Sequence, residues 1–401
     1  MAFIALLSAR DGPGAKAGGA PIEFGGQPLV EFQARMAIAA GVEHILIQTD
    51  PAAPDLSHLV ERLTAERQVS VAVARDMPAL SRHLAPADVI LLMAETMLIP
   101  AEVVASLARE TAPALIALPP VPATSHFERI DAGAMWAGAL LLTGETVLGT
   151  LDMLGEWDLG LTLLRRAVQL DARRIMLSPA LVTAGRLGPL RDQQGADAAL
   201  EVLAEQDQTP AGGEEGGGLR RLLAPLARPL VRELVRRQIE PAMLTLTALL
   251  AGGAGLALGF GGFAVPAVLL ALAGLGLCDL AGQCAQITLR PAASPLRRYG
   301  VDGLAMASLA LIGWQLAGGE ILALSGAWLP LLLTILINFP PEQVPARSGL
   351  WSRRMRINIP IALLVVLAGL MLGRGDIAFA LLGLLALAAI ALRLAPERPR
   401  V

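Results

Sequence analysis

Two hydrophobic patterns divide the chain near its midpoint. In the front half, short apolar runs at Phe3–Ser8, His44–Thr49, Val69–Ala74, Asp88–Met93, Ala114–Leu118, Ala137–Thr143 and Arg173–Ser178 read as buried strands. Between them, Leu29–Ala40, Leu56–Arg67, Met77–Leu84, Ala101–Arg109 and Leu159–Leu170 place apolar residues at helical spacing. Alternation of this kind predicts an α/β domain with a mostly parallel sheet and helices on both faces. Ligands of such sheets bind beyond the carboxyl ends of the strands. Phe3–Ser8 is too short for a signal peptide and lacks a basic leader, so it counts as the first strand.

The pattern changes after Gln206. Residues 206–218 (QDQTPAGGEEGGG) are polar and Gly-rich without periodicity, as in a flexible linker. In 219–240, Arg220, Arg221, Arg228, Arg232, Arg236 and Arg237 fall among leucines and valines. This predicts a helix with one arginine face, suited to an anionic membrane surface. From 241 to 401 nearly uncharged stretches follow: Ala242–Phe260, Phe263–Cys278, Gly303–Leu316, Ile321–Ile337, Ile359–Leu372 and Ile377–Leu392. They predict an all-α domain of six transmembrane helices. Arginines crowd alternate connections, around 290–298, 347–356 and 393–400, while 259–262, 318–320 and 373–376 hold Arg374 alone. The positive-inside rule then places both termini and the front domain (1–205) on the cytoplasmic side of the inner membrane. Glycine is dense in the first two spans (Gly252, Gly253, Gly255, Gly274, Gly276), which suits close helix packing and a homodimer.

Composition agrees with this division. Hydrophobic residues are 54% of the 401 and charged residues 17%, against roughly a quarter charged in a soluble globule. A net charge of −3 hides an acidic front and a basic back, since all but six acidic residues precede Pro241. No basic stripe is interleaved with aromatics, so nucleic acid is not an expected partner. Cys278 and Cys284 lie in apolar sequence and form no metal-ligand or disulfide pattern.

The first strand runs into Arg10–Gly26, which contains Gly12, Gly14 and Lys16, the only lysine of the chain. Glycines let backbone amides approach phosphates. Strand, Gly-rich loop, the stretch Pro21-Ile22-Glu23-Phe24-Gly25-Gly26-Gln27-Pro28-Leu29 and then a helix make an order that resembles sugar-nucleotide and molybdopterin nucleotidyltransferases. The resemblance covers residues 1–190. It implies nucleotide-phosphate binding by Gly12, Gly14 and Lys16, with lysine where that family has arginine and Ile22 where it has lysine. It also implies a metal-binding carboxylate after the central strand, where Glu95 stands, and a second at Asp158, holding Mg²⁺ or Mn²⁺. The plainer readings are a solvated Glu95 and an Asp158 that caps the helix running to Leu170.

Polar residues gather where the second span ends and the third begins: Asp279, Gln283, Gln286 and Asp302, flanked by Arg290, Arg297 and Arg298. Ionisable groups at membrane depth are costly and face a cavity or a partner. Either the carboxylates pair with the arginines at the interface, or the cluster takes a phosphorylated head group, held bidentately by arginine. The spans and the entry Pro241-Ala242-Met243-Leu244-Thr245 resemble CDP-alcohol phosphatidyltransferases. That resemblance implies catalysis by four aspartates around two divalent cations. Here Cys278 and Ala281 occupy the first two positions, Asp279 lies one residue late, about 100° around a helix, and Met306 follows Asp302 at the fourth. Asp279 and Asp302 are the carboxylates left to do catalytic work.

The two halves together resemble bifunctional inositol-phosphate cytidylyltransferase/di-inositol-phosphate-phosphate synthases. A diverged transferase of phospholipid or phospho-alcohol metabolism, using membrane lipid and a nucleotide-activated alcohol, is one expectation. A non-catalytic nucleotide- or lipid-binding scaffold is the other. A transporter is disfavoured, because no inverted repeat is visible.

Overall fold

The computed structural model describes residues 1–9, 22–49, 56–67, 69–151, 153, 158–206, 229–231, 233–235, 237, 239–290, 295–316 and 359–394. Two compact units emerge, one of Met1–Asp207 with Leu234–Gln238 and Ile287–Pro291, the other of Gln208–Glu233, Ile239–Gln286 and Ala292–Val401.

The apolar runs of the first unit become strands. They are β1 (Phe3–Ser8), β2 (His44–Gln48), β3 (Ser70–Ala74), β4 (Val89–Met93), β6 (Ala114–Leu118), β8 (Met135–Thr143) and β9 (Arg173–Met176). The central ones, β1, β2, β4, β6 and β8, are buried on both faces. Short strands β5 (Met97–Leu98), β7 (Glu128–Arg129) and β10 (Gly188–Pro189) complete the set. The main sheet runs β3-β2-β1-β4-β8-β6-β9, with β7 added beside β8. β1, β2, β3 and β4 are mutually parallel, and β6 is parallel to β9. β8 is antiparallel to β4 and to β6, so β6 and β9 run the same way as β1–β4 and the sheet is mostly parallel, as the alternating pattern predicts, with β8 reversed within it. A strand buried on both faces carries no alternation to report its direction, which is why the sequence did not show this.

Alternate residues of β1 enter different layers. Ala5 and Leu7 join Ile45, Ile47, Leu91 and Met93 beneath α1 (Leu29–Ala39), α2 (Ser57–Arg67) and α4 (Ala101–Leu107). Ile4 and Leu6 join Leu46, Ile90 and Leu92 beneath α3 (Met77–Arg82), α5 (Gly144–Leu151) and α6 (Leu159–Gln169). Helices therefore cover both faces, as the alternating pattern predicts. The short α7 (Ala180–Thr183) and the longer α8 (Gln193–Gln206) follow β9; neither was read from the sequence, because Ala- and Gln-rich turns show little apolar periodicity.

In the second unit, α9 (Pro241–Phe260) and α10 (Ala264–Thr288) are long and apolar enough to cross a membrane. Only about a third of each most apolar stretch is buried by protein (33% and 28%), unlike the core helix of a soluble protein. A Cβ on Gly255 would lie 2.9 Å from the Ala267 carbonyl, and one on Gly274 would lie 2.9 Å from that of Ala248. Glycine is thus required for the approach of these two backbones. α11 (Pro295–Leu316), α12 (Ile359–Met371) and α13 (Gly375–Leu394) follow. The α12 helix, of 13 residues, is shorter than a full span. The expected span Ile321–Ile337 and most of the expected helix at 219–240 lie outside the described residues.

Candidate functional site

β1 lies between β2 and β4, parallel to both. The chain leaves β1 through α1 toward one side and returns to β4 through α3 on the other. That reversal puts the topological switch point, where open α/β sheets take ligands in a crevice, at the carboxyl ends of β1 and β4. Ser8 ends β1, and Glu95 follows β4 by two residues. The Ser8 hydroxyl donates to Glu95 Oε2 at 3.2 Å, and both residues are half-buried.

The turn carrying Glu95 is pinned from three elements. Gln33 Nε2, on α1, donates to the Ala94 carbonyl at 3.0 Å and to the Met97 carbonyl at 2.9 Å. The Ala94 amide donates to Gly138 O on β8, and the Leu190 amide to Thr96 O beside β10. Thr96 holds φ +54°, a left-handed conformation that persists where surrounding contacts enforce it. Nearby in the fold, Thr49 follows β2 at 3% exposure, and among the described residues its hydroxyl meets no hydrogen-bond partner. An unmet buried hydroxyl costs about 1–3 kcal/mol. Ser8, Gln33 and Thr49 were not singled out by sequence reasoning. Ser8 alone had a signal, as the last strand residue before the Gly-rich loop.

A buried ionic network stiffens α1. Glu31, 1% exposed, accepts from Arg62 Nη2 at 2.7 Å and from Arg35 Nη2 at 2.9 Å. Burial alone would raise its carboxyl pKa; the two guanidinium partners outweigh burial and hold it below the ordinary value.

Gly12, Gly14 and Lys16 lie outside the described residues. Asp158 is exposed, and its Oδ1 accepts from the Leu161 amide at 2.8 Å as the N-cap of α6. Among the described residues no group of three or more His, Cys, Asp or Glu is placed to hold a metal ion. With Asp158 capping a helix and Glu95 the one described carboxylate in the turn after β4, this donor set does not fit a Mg²⁺ or Mn²⁺ centre, and no chemistry is routed through one.

In the second unit, α10 continues ten residues past the expected end of its span. Ala, Gln and Ile sustain the helix, and it ends before Pro291. At 1.5 Å per residue it is about 37 Å long, beyond the roughly 30 Å of bilayer hydrocarbon. Its last turns lie beyond the length that one crossing needs. There Asp279 is exposed and accepts from Gln283 Nε2 at 3.0 Å, one turn along. Arg298 and Asp302 stand one turn apart on α11, and both, with Asp279, are electrostatic neighbours of Cys278. Arg297 and Arg298 are exposed and Asp302 is half-buried. The structure thus gathers Asp279, Arg298 and Asp302. Arg290 belongs to the first unit, where its Nη2 donates to the Gly26 carbonyl.

No protein-family model matches the chain, and no curated protein matches it. Among solved structures it is similar to one described as "Crystal structure of 4-diphosphocytidyl-2C-methyl-D-erythritol synthase", at 16% identity over 50% of this chain and 98% of that one, with a TM-score of 0.34.

Proposed function

We propose that this protein is a multi-pass membrane protein of phospholipid or phospho-alcohol metabolism, with a nucleotidyltransferase-like front domain and a diverged CDP-alcohol phosphatidyltransferase-like membrane domain. In this reading the front domain takes a nucleotide at the β1–β4 crevice. The polar ends of α10 and α11 take a phosphorylated head group from the cytoplasmic side, and six spans leave both termini there. The observation that carries it is the pairing of Ser8 with Glu95 across the carboxyl ends of adjacent parallel strands, directly before a Gly-rich loop. Roles follow from position. Gly12, Gly14 and Lys16 offer amides and a cation to phosphate, Glu95 orients the ligand, and Arg297 and Arg298 hold a head-group phosphate.

The departures from the four-aspartate pattern, with Cys278 and Ala281 at the first two positions and Met306 at the fourth, favour a second reading, in which the protein binds nucleotide or head group without turnover and scaffolds an active partner. One assay separates the two. Purified full-length protein in Mg²⁺ or Mn²⁺ receives CTP and radiolabelled inositol phosphate, and separately CDP-alcohol with lipid acceptors. Turnover lost in Asp302→Ala establishes the transferase; saturable CTP binding without product establishes the scaffold. Failure to bind either class of ligand overturns both.

A further inference from the structure

The first unit is not built from the front of the chain alone, because Ile287–Pro291 belongs to it. Ile287 and Thr288 are each 4% exposed, and Leu289 packs against the core beneath α1. Leu289 has φ +53°, a left-handed conformation costly for a leucine, so its surroundings must enforce it.

What enforces it is polar and specific. Gln27, 1% exposed, donates from Nε2 to the Thr288 carbonyl at 2.6 Å and accepts from Arg35 Nη1 on its Oε1. Arg290 Nη2 donates to the Gly26 carbonyl. Gly25, at φ +61°, leaves no room for a side chain: a Cβ there would stand 2.9 Å from Thr288 Cγ2. The Gly25–Gly26 turn leads directly into α1, on which Arg35 and Glu31 continue the network. The same helix carries Gln33, whose amide holds both carbonyls flanking Glu95.

We propose that Gln27 and Arg290 form a clasp that fixes the entry of α1 and, through Gln33, positions the Glu95 turn of the crevice. Gln27 and Arg290 are then positioning residues, remote in sequence from the group they align. The ligand consequence rests on the nucleotide reading given above; the clasp itself does not.

The test uses the full-length protein in detergent, followed by amide hydrogen exchange at 22–29 and 94–98 and by CTP titration. Arg290→Ala and Gln27→Ala are expected to speed exchange in both segments by roughly five- to tenfold, the effect of one lost hydrogen bond. Arg290→Lys, which still donates to a carbonyl, restores slow exchange. Gln27→Glu keeps an acceptor for Arg35 but has no donor for Thr288, and is expected to exchange as fast as Gln27→Ala. CTP affinity should fall about fivefold in the fast-exchanging variants and recover in Arg290→Lys. Unchanged exchange at 94–98 in Arg290→Ala and Gln27→Glu overturns the clasp. Changed exchange in a protein that binds no CTP supports the clasp and overturns the nucleotide reading.

Discussion

Glu31 is a carboxylate almost wholly inside the protein, and its stability depends on two arginines that reach it from α1 and α2. Because its folded pKa is depressed, its contribution is present at neutral pH and is lost as the pH falls through and below the ordinary carboxylate range. Asp88 behaves in the same direction: the Ala2 and Ala85 amides, each donating at 2.8 Å, hold its carboxyl below the usual value. Glu31→Gln leaves Arg35 buried without its anion and is expected to destabilise the fold by on the order of 3 kcal/mol at pH 7. Thermal melts by circular dichroism at pH 7 and pH 4 check this, with the gap between variant and native protein narrowing at the lower pH. The sequence showed Glu31 only as a charge on a helix. Its burial depends on Arg62, 31 residues away in the chain, which no local pattern connects to it.

The elements were legible wherever their signal was local. β1 and β6 have the ends expected from their apolar runs, and α1, α2 and α6 end within a residue of those expected from helical spacing. Asp158 shows local chemistry at its clearest, an aspartate with its side chain on the Leu161 amide at the start of α6. Asp158→Ala is expected to cost about 1 kcal/mol of stability, the worth of an N-cap, and to leave CTP affinity unchanged. Melts and titration of the same sample check both, and a weakened affinity would return Asp158 to the ligand site. Less local features escaped notice. The direction of β8 is set by pairing with β4 and β6, and the extent of α10 depends on the absence of a breaker before Pro291.

For the whole molecule, the proposed topology makes a sharp demand. With Cys278 and Cys284 replaced by alanine, Arg297→Cys and Gln286→Cys should react with a membrane-impermeant maleimide from the cytosolic side, and Arg374→Cys from the opposite side. Labelling of Arg297→Cys and Arg374→Cys from one side would rule out the three spans proposed between them, and the six-span topology with them. Gln286→Cys also tests the length of α10: a helix that ended at the hydrocarbon edge would leave this position shielded.

Apolar periodicity and glycine content were enough to separate an α/β front from an apolar helical back, because burial acts on each residue through its own side chain. The crevice needed the folded chain. Ser8 and Glu95 are 87 residues apart and meet because β1 and β4 pair in parallel. Gln27 and Thr288 are 261 apart and meet because residues 287–291 pack into the front unit. Contacts at such separation arise from strand order and packing, which individual residues do not encode.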